Sequence, residues 1–127
     1  MSELNSFKDL NCWEKGRDIR LQIAELVKSF PNSEKFELTS QMKRASRSVT
    51  HNIAEGYGRF HHQENIKYCR MARGSLYELI DQVDCVLSEK YISEEVANQL
   101  EQDLFENIKI LNGFISYLNK AKNQNGS

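Results

Sequence analysis

Residues 93–118, SEEVANQLEQDLFENIKILNGFISYL, place Val96, Leu100, Leu104, Ile108, Leu111, Ile115 and Leu118 at steps of four, four, four, three, four and three. The mean step is close to the helical turn and holds over more than twenty residues, which predicts one long amphipathic helix. Ser93 stands where an N-cap belongs. Glu94 and Glu95 follow it, where the positive end of the helix dipole favours carboxylates.

The same period appears upstream. From about His62, the residues Ile66, Cys69, Ala72, Leu76, Leu79, Val83 and Val86 form a bundle seam with steps of three and four. A preceding helix opens at Leu38–Gln41 with Thr39 or Ser40 as cap. It carries Met42, Ala45, Val49 and Ile53 inward and stops at Gly56-Tyr57-Gly58. The first helix spans about Asn11 to Ser29, with Ile19, Ile23, Leu26, Val27 and Phe30 as its stripe and Trp13 and Gly16 extending it backward. Pro31 ends it, because proline disfavours helical geometry in the residue before it. Short links force sequential helices to lie antiparallel, so the expected fold is all-α, an up-down-up-down four-helix bundle over residues 1–120. Residues 121–127 read as a flexible polar tail.

Composition agrees with this reading. The 127 residues include a single proline and six glycines, which suits long helices better than a turn-rich β fold. The longest apolar run, Cys85-Val86-Leu87, is far shorter than the ~20 residues a membrane span requires, and the start lacks the layout of a signal peptide. A cytoplasmic protein is expected. Cys12, Cys69 and Cys85 are odd in number and lack CxxC spacing, which fits reduced thiols rather than a disulfide framework or zinc knuckle.

The net charge of −1 conceals an asymmetry. Residues 39–74 hold seven basic side chains, Lys43, Arg44, Arg47, Arg59, Lys67, Arg70 and Arg73, against Glu55 and Glu64, giving +5 there and −6 in the remainder. Arg44, Arg47 and His51 share one face of helix two, and Lys67, Arg70 and Arg73 step by three along helix three. If both rows border one surface, they offer a strip for nucleic-acid phosphates, with Tyr57, Phe60 and Tyr68 as nearby aromatic planes for unpaired bases. The alternative is that these are solvated helix faces paired with acidic neighbours.

A polar group on the seam side, Asn52, Glu55, Ser75 and Glu78, reads as a hydrogen-bonded clasp beside Gly74, where a missing side chain permits close approach. An acid/base couple of Glu55 and Glu78 is the competing reading, but it has no nucleophile or cofactor loop to serve. A di-metal bundle needs Glu-x-x-His pairs. The residues three before His51, His61 and His62 are Ser48, Gly58 and Arg59, so no metal is expected. Ile110, Phe114 and Tyr117 broaden the fourth helix beyond its stripe, which suggests a subunit interface or else a wide internal core face.

The stretches QMKRASRSVTHNIAEGYGR (residues 41–59) and MARGSLYEL (71–79) resemble the signature of one bacterial four-helix-bundle family, with weaker echoes at residues 10–13 and 30–38. It comprises proteins encoded within intervening sequences of large-subunit ribosomal RNA genes. The accessory variability determinant of diversity-generating retroelements is similar to it. The resemblance implies a homopentameric barrel and, for the retroelement branch, binding of RNA and a partner reverse transcriptase through basic surface; no catalytic activity is known to define the family. Carried over, the basic motif positions are Lys43, Arg44, Arg47 and Arg59, and Asn52, Glu55, Gly56, Ser75 and Glu78 look fold-defining. Thr50 stands where the family often has proline, Glu37 where it often has glycine, and Gly16 where alanine is usual.

The expectation is therefore a non-enzymatic homo-oligomeric scaffold with no cofactor, no small-molecule substrate and no membrane role. Its basic strip on helices two and three would engage RNA or a nucleic-acid enzyme. The alternative is a protein–protein assembly module in which the same arginines meet acidic helices of neighbours.

Overall fold

In a computed structural model describing residues 6–125, the chain forms α1 (Asn11–Leu26), α2 (Leu38–Gly58), α3 (His62–Ser88) and α4 (Glu94–Asn125), with short 3-10 turns around α1. Each helix packs on its sequence neighbours and α4 closes against α1, so the four surround one core. Ser48 meets Ser75 and Gly56 meets Asn65, which sets α2 and α3 antiparallel. Tyr77 meets Phe105 and Gln63 meets Lys122, which does the same for α3 and α4. The expected four-helix bundle is the observed one.

The predicted stripes supply the core, with Ile19, Ile23, Met42, Ile53, Leu76 and Leu104 fully enclosed. One stripe residue is displaced. Val96 is 41% exposed, and Ala97, at 2%, takes its place in the core. Seven residues before Leu104 lie about 20° off the stripe and eight lie about 80° off, so the seventh wins.

Burial pushes the Cys12 thiol up to about 11 and the Cys69 thiol up to about 12, so both stay protonated at neutral pH and serve as core filler. Ser46 and Thr50 are buried but bond back to the Lys43 and Arg47 carbonyls, and Thr50 also accepts from Arg20 at 2.8 Å. Asn107 is fully buried with neither amide atom partnered among the described residues.

The ends of the helices differ from the sequence reading in two places. Neither Thr39 nor Ser40 caps α2, which starts one residue before them. Its Leu38 N–H lies 3.4 Å from a Glu34 carboxylate oxygen instead. Ser93 does cap α4, accepting from the Val96 N–H at 3.1 Å. At the other end α4 runs on through Asn125, past Lys120; Lys122 reaches Gln63 on α3 at 2.7 Å, which supports the added turn.

The close approach expected at Gly74 occurs elsewhere. A Cβ on Gly74 would meet nothing within 4 Å, because that residue faces outward. A Cβ on Gly56 would lie 2.8 Å from Asn65 Oδ1 and 2.9 Å from Tyr68 Cβ, so this glycine lets α2 and α3 converge at their turn. Gly16 is a milder case. Its Cβ would sit 3.2 Å from a Thr50 methyl, so two positions at which the chain differs from the resembled family touch each other.

Candidate nucleic-acid interface

The first half of α2 and the link before it build an open groove of about 570 Å³, lined by Lys35, Phe36, Thr39, Ser40, Lys43, Arg44, Arg47, Ser48 and His51. Helical spacing explains the gathering. Ser40, Arg44, Arg47 and His51 follow one another at four, three and four residues, which keeps them on one side of the helix, opposite Met42, Val49 and Ile53. The side chains of Lys43, Arg44 and Arg47 make no ion pair among the described residues. α2 has no acidic residue in its first turn, and two residues of that turn, Thr39 and Ser40, line the groove. The positive end of the helix dipole itself is met from outside the helix by Glu37 at the N-cap and by the Glu34 carboxylate, 3.4 Å from the Leu38 N–H, so the groove's charge comes from its side chains.

The remaining basic residues do not join this groove. Arg59 closes the far end of α2. Its guanidinium lies 3.0 Å from Glu55, 3.6 Å from Glu64, donates to the Tyr68 hydroxyl at 2.9 Å and stands 5.2 Å from the centre of that ring. Arg73 donates to Asn112 on α4 at 2.7 Å. Lys67 and Arg70 are exposed, but each step of three along a helix turns back about 60°, so the row Lys67, Arg70, Arg73 winds toward α4 and away from α2. The single strip expected across α2 and α3 is thus divided: Lys43, Arg44 and Arg47 come together, and Arg59, Lys67, Arg70 and Arg73 lie elsewhere.

The aromatic residues are redistributed as well. Tyr57 is packed against the core and Tyr68 is held by Arg59, whereas Phe60, 85% exposed, stands at the α2–α3 turn with a φ of 61°. The ring that borders the basic groove is Phe36, which sequence reasoning passed over. It is 86% exposed, with the Lys35 ammonium 5.4 Å from its centre. Its signal in the sequence is faint, a lone aromatic between Lys35 and Glu37 in a link without apolar period.

The polar clasp exists with different members. Ser48 and Ser75 share a hydrogen bond of 2.9 Å, and Asn52 donates to the Ser48 hydroxyl at 3.0 Å and to its carbonyl at 2.9 Å. Ser48 was missing from the predicted set. Glu55 instead turns outward to Arg59, and Glu78 accepts from Gln82 one turn along its own helix, so the two carboxylates form no acid/base couple. Of the three residues expected at a subunit interface, Ile110 and Phe114 pack against the chain's own core; Tyr117, 63% exposed, remains at the surface.

No helix among the described residues is long and apolar enough to cross a membrane. The fold is shared with a solved structure from Bacteroides thetaiotaomicron VPI-5482, a protein with unknown function from the S23 ribosomal protein family. The two are 24% identical with a TM-score of 0.78, and the match covers 86% of this chain and 98% of that one. No curated protein matches. The model of the 23S rRNA-intervening sequence protein family matches residues 8–113, which spans α1 to α3 and most of α4, and the chain belongs to that family.

Proposed function

We propose that this protein is a non-enzymatic, homo-oligomeric bundle that binds RNA through the groove on α2. The observation that carries the reading is that Lys43, Arg44 and Arg47, gathered on one face in the first half of α2, form no ion pair among the described residues. Cations left unpaired on a folded surface are those whose counterions a polyanion can displace, and that release is the main source of phosphate affinity. A neighbouring nucleic-acid enzyme, such as a reverse transcriptase, would reach the protein through the RNA or beside it. Five copies in a ring is the assembly that the family resemblance favours.

The test combines light scattering on a sizing column, at low and high salt, with a structured RNA. The expected result is an oligomer that takes up RNA at low salt only. Arg44→Glu with Arg47→Glu should weaken binding about 30-fold at roughly 50 mM salt while leaving the unfolding midpoint in place. Salt-independent binding, or no change in the double variant, defeats the reading. One observation favours a second reading, a protein–protein assembly module. Tyr77 and Phe105 form an exposed edge-on aromatic pair across α3 and α4, near the acidic residues Asp81 and Glu101. An oligomer intact in moderate salt that ignores RNA would fit that module.

A further inference from the structure

Resting on the reading of the α2 groove as an RNA site, we infer that this groove selects single-stranded RNA, with an unpaired base stacked on Phe36 and the adjoining phosphates on Arg44 and Arg47. Phe36 sits in the link immediately before α2, and its ring is 86% exposed at the rim of the same depression that Lys43, Arg44, Arg47 and His51 line. The link is anchored on both sides. Glu34 accepts from the Tyr91 hydroxyl at 2.8 Å, Glu37 donates its N–H to the Glu34 carbonyl at 3.0 Å, and α2 begins one residue later. The ring is thus presented by a tethered turn beside the cations.

An apolar ring held among cations and hydroxyls is poorly matched to a paired duplex, whose base faces are covered by their neighbours in the stack. A single strand offers uncovered base faces and a phosphate on either side of each. Aromatic side chains take such bases regardless of their identity, and the flanking cations hold the backbone. Lys35, 5.4 Å from the ring centre, places a further cation where the strand would pass. The basic row from Arg44 to His51 runs about 10 Å along the helix, so the site is a short grip on a few nucleotides.

The experiment measures affinity of the full chain for an oligouridine, for a duplex with the same number of phosphates, and for a ribose-phosphate oligomer lacking bases, all at about 50 mM salt. The wild type should favour the oligouridine over both others by about tenfold, the range expected for one stacked base. Phe36→Ala should remove that preference without weakening duplex binding, and Phe36→Trp should restore it and show quenched fluorescence on the oligouridine alone. Phe36 is almost wholly exposed, so neither change removes packed surface. If Phe36→Ala leaves the preference intact, or weakens all three ligands equally, while Arg44→Glu with Arg47→Glu abolishes binding, the stacking inference falls and the groove reading stands. If the wild type binds the base-free oligomer as well as the oligouridine, the site recognises a polyanion such as an acidic peptide, and the inference falls. If it binds none of the three, both fall.

Discussion

The two ends of α2 carry the same residue types and put them to opposite uses. In the N-terminal half, Lys43, Arg44 and Arg47 line an open groove and form no ion pair among the described residues. At the C-terminal end, Arg59 is surrounded by Glu55, Glu64 and Tyr68, over a seam closed tightly by Gly56. One end holds its charge available to a ligand; the other has directed it inward to fasten the α2–α3 turn. Sequence position alone does not distinguish Arg47 from Arg59, whereas the neighbours across the turn do.

The comparison is broken most severely at Gly56. Gly56→Ala should lower unfolding free energy by about 2 kcal/mol in denaturant titrations, since overpacking outweighs the gain in helix propensity, and it should leave RNA affinity per folded molecule unchanged. A drop in affinity equal to the drop in stability would show that the ends are coupled. Next in size, the groove can be given the carboxylate that the far end already has. Ser40→Glu sets an acid four residues before Arg44, as Glu55 stands before Arg59, and should cost about fivefold in RNA affinity.

The converse change, Glu55→Gln with Glu64→Gln, releases Arg59 and should raise RNA affinity about threefold at low salt, with the gain erased as salt increases. Smallest is the effect of Tyr91→Phe, which removes the bond tethering the Phe36 link through Glu34. That bond and burial push the Tyr91 hydroxyl up to about 12, the bond to Glu34 being the larger cause. A raised value in the folded state means stability that is fully present below pH 10 and lost as pH climbs toward 12. The thermal midpoints of wild type and variant should therefore differ by a constant small amount up to pH 10 and converge above it.

Much of the fold could be read in advance because burial imposes a period. The stripes of α3 and α4 recur at the helical turn over two dozen residues, and a helix with one apolar face has few ways to hide it. The failures have local causes. Val96 reads as core because steps of four and three look alike over one turn, and the distinction emerges only against the whole stripe. The close approach that the sequence suggests at Gly74 belongs to Gly56. Both glycines lie within helices; only the neighbour facing each one separates them. The clasp was half right because Asn52 and Ser75 face the seam, but Ser48, which joins them, lies on the flank of its stripe.

The candidate site was less legible than the fold. The basic segment was visible as composition, and the gathering of Lys43, Arg44 and Arg47 followed from spacing along a single helix. Merging that row with Lys67, Arg70 and Arg73 required knowing how α3 is rotated about its own axis, which the bond from Arg73 to Asn112 reveals. Phe36 lacked any periodic context, so its place at the rim of the groove depended on the path of the link.

By itself, then, the sequence of this protein determined the number, order and inward faces of its helices, their antiparallel course, and the family to which the chain belongs. These follow from intervals along one strand of chain, where 3.6 residues make a turn whatever lies beside it. Only the tertiary structure decided which arginines are neutralised, which glycine admits a neighbouring helix, and which phenylalanine stands beside the cations. Those properties belong to pairs of residues far apart in sequence, and a charge or a ring takes its role from what packing brings within a few ångströms of it.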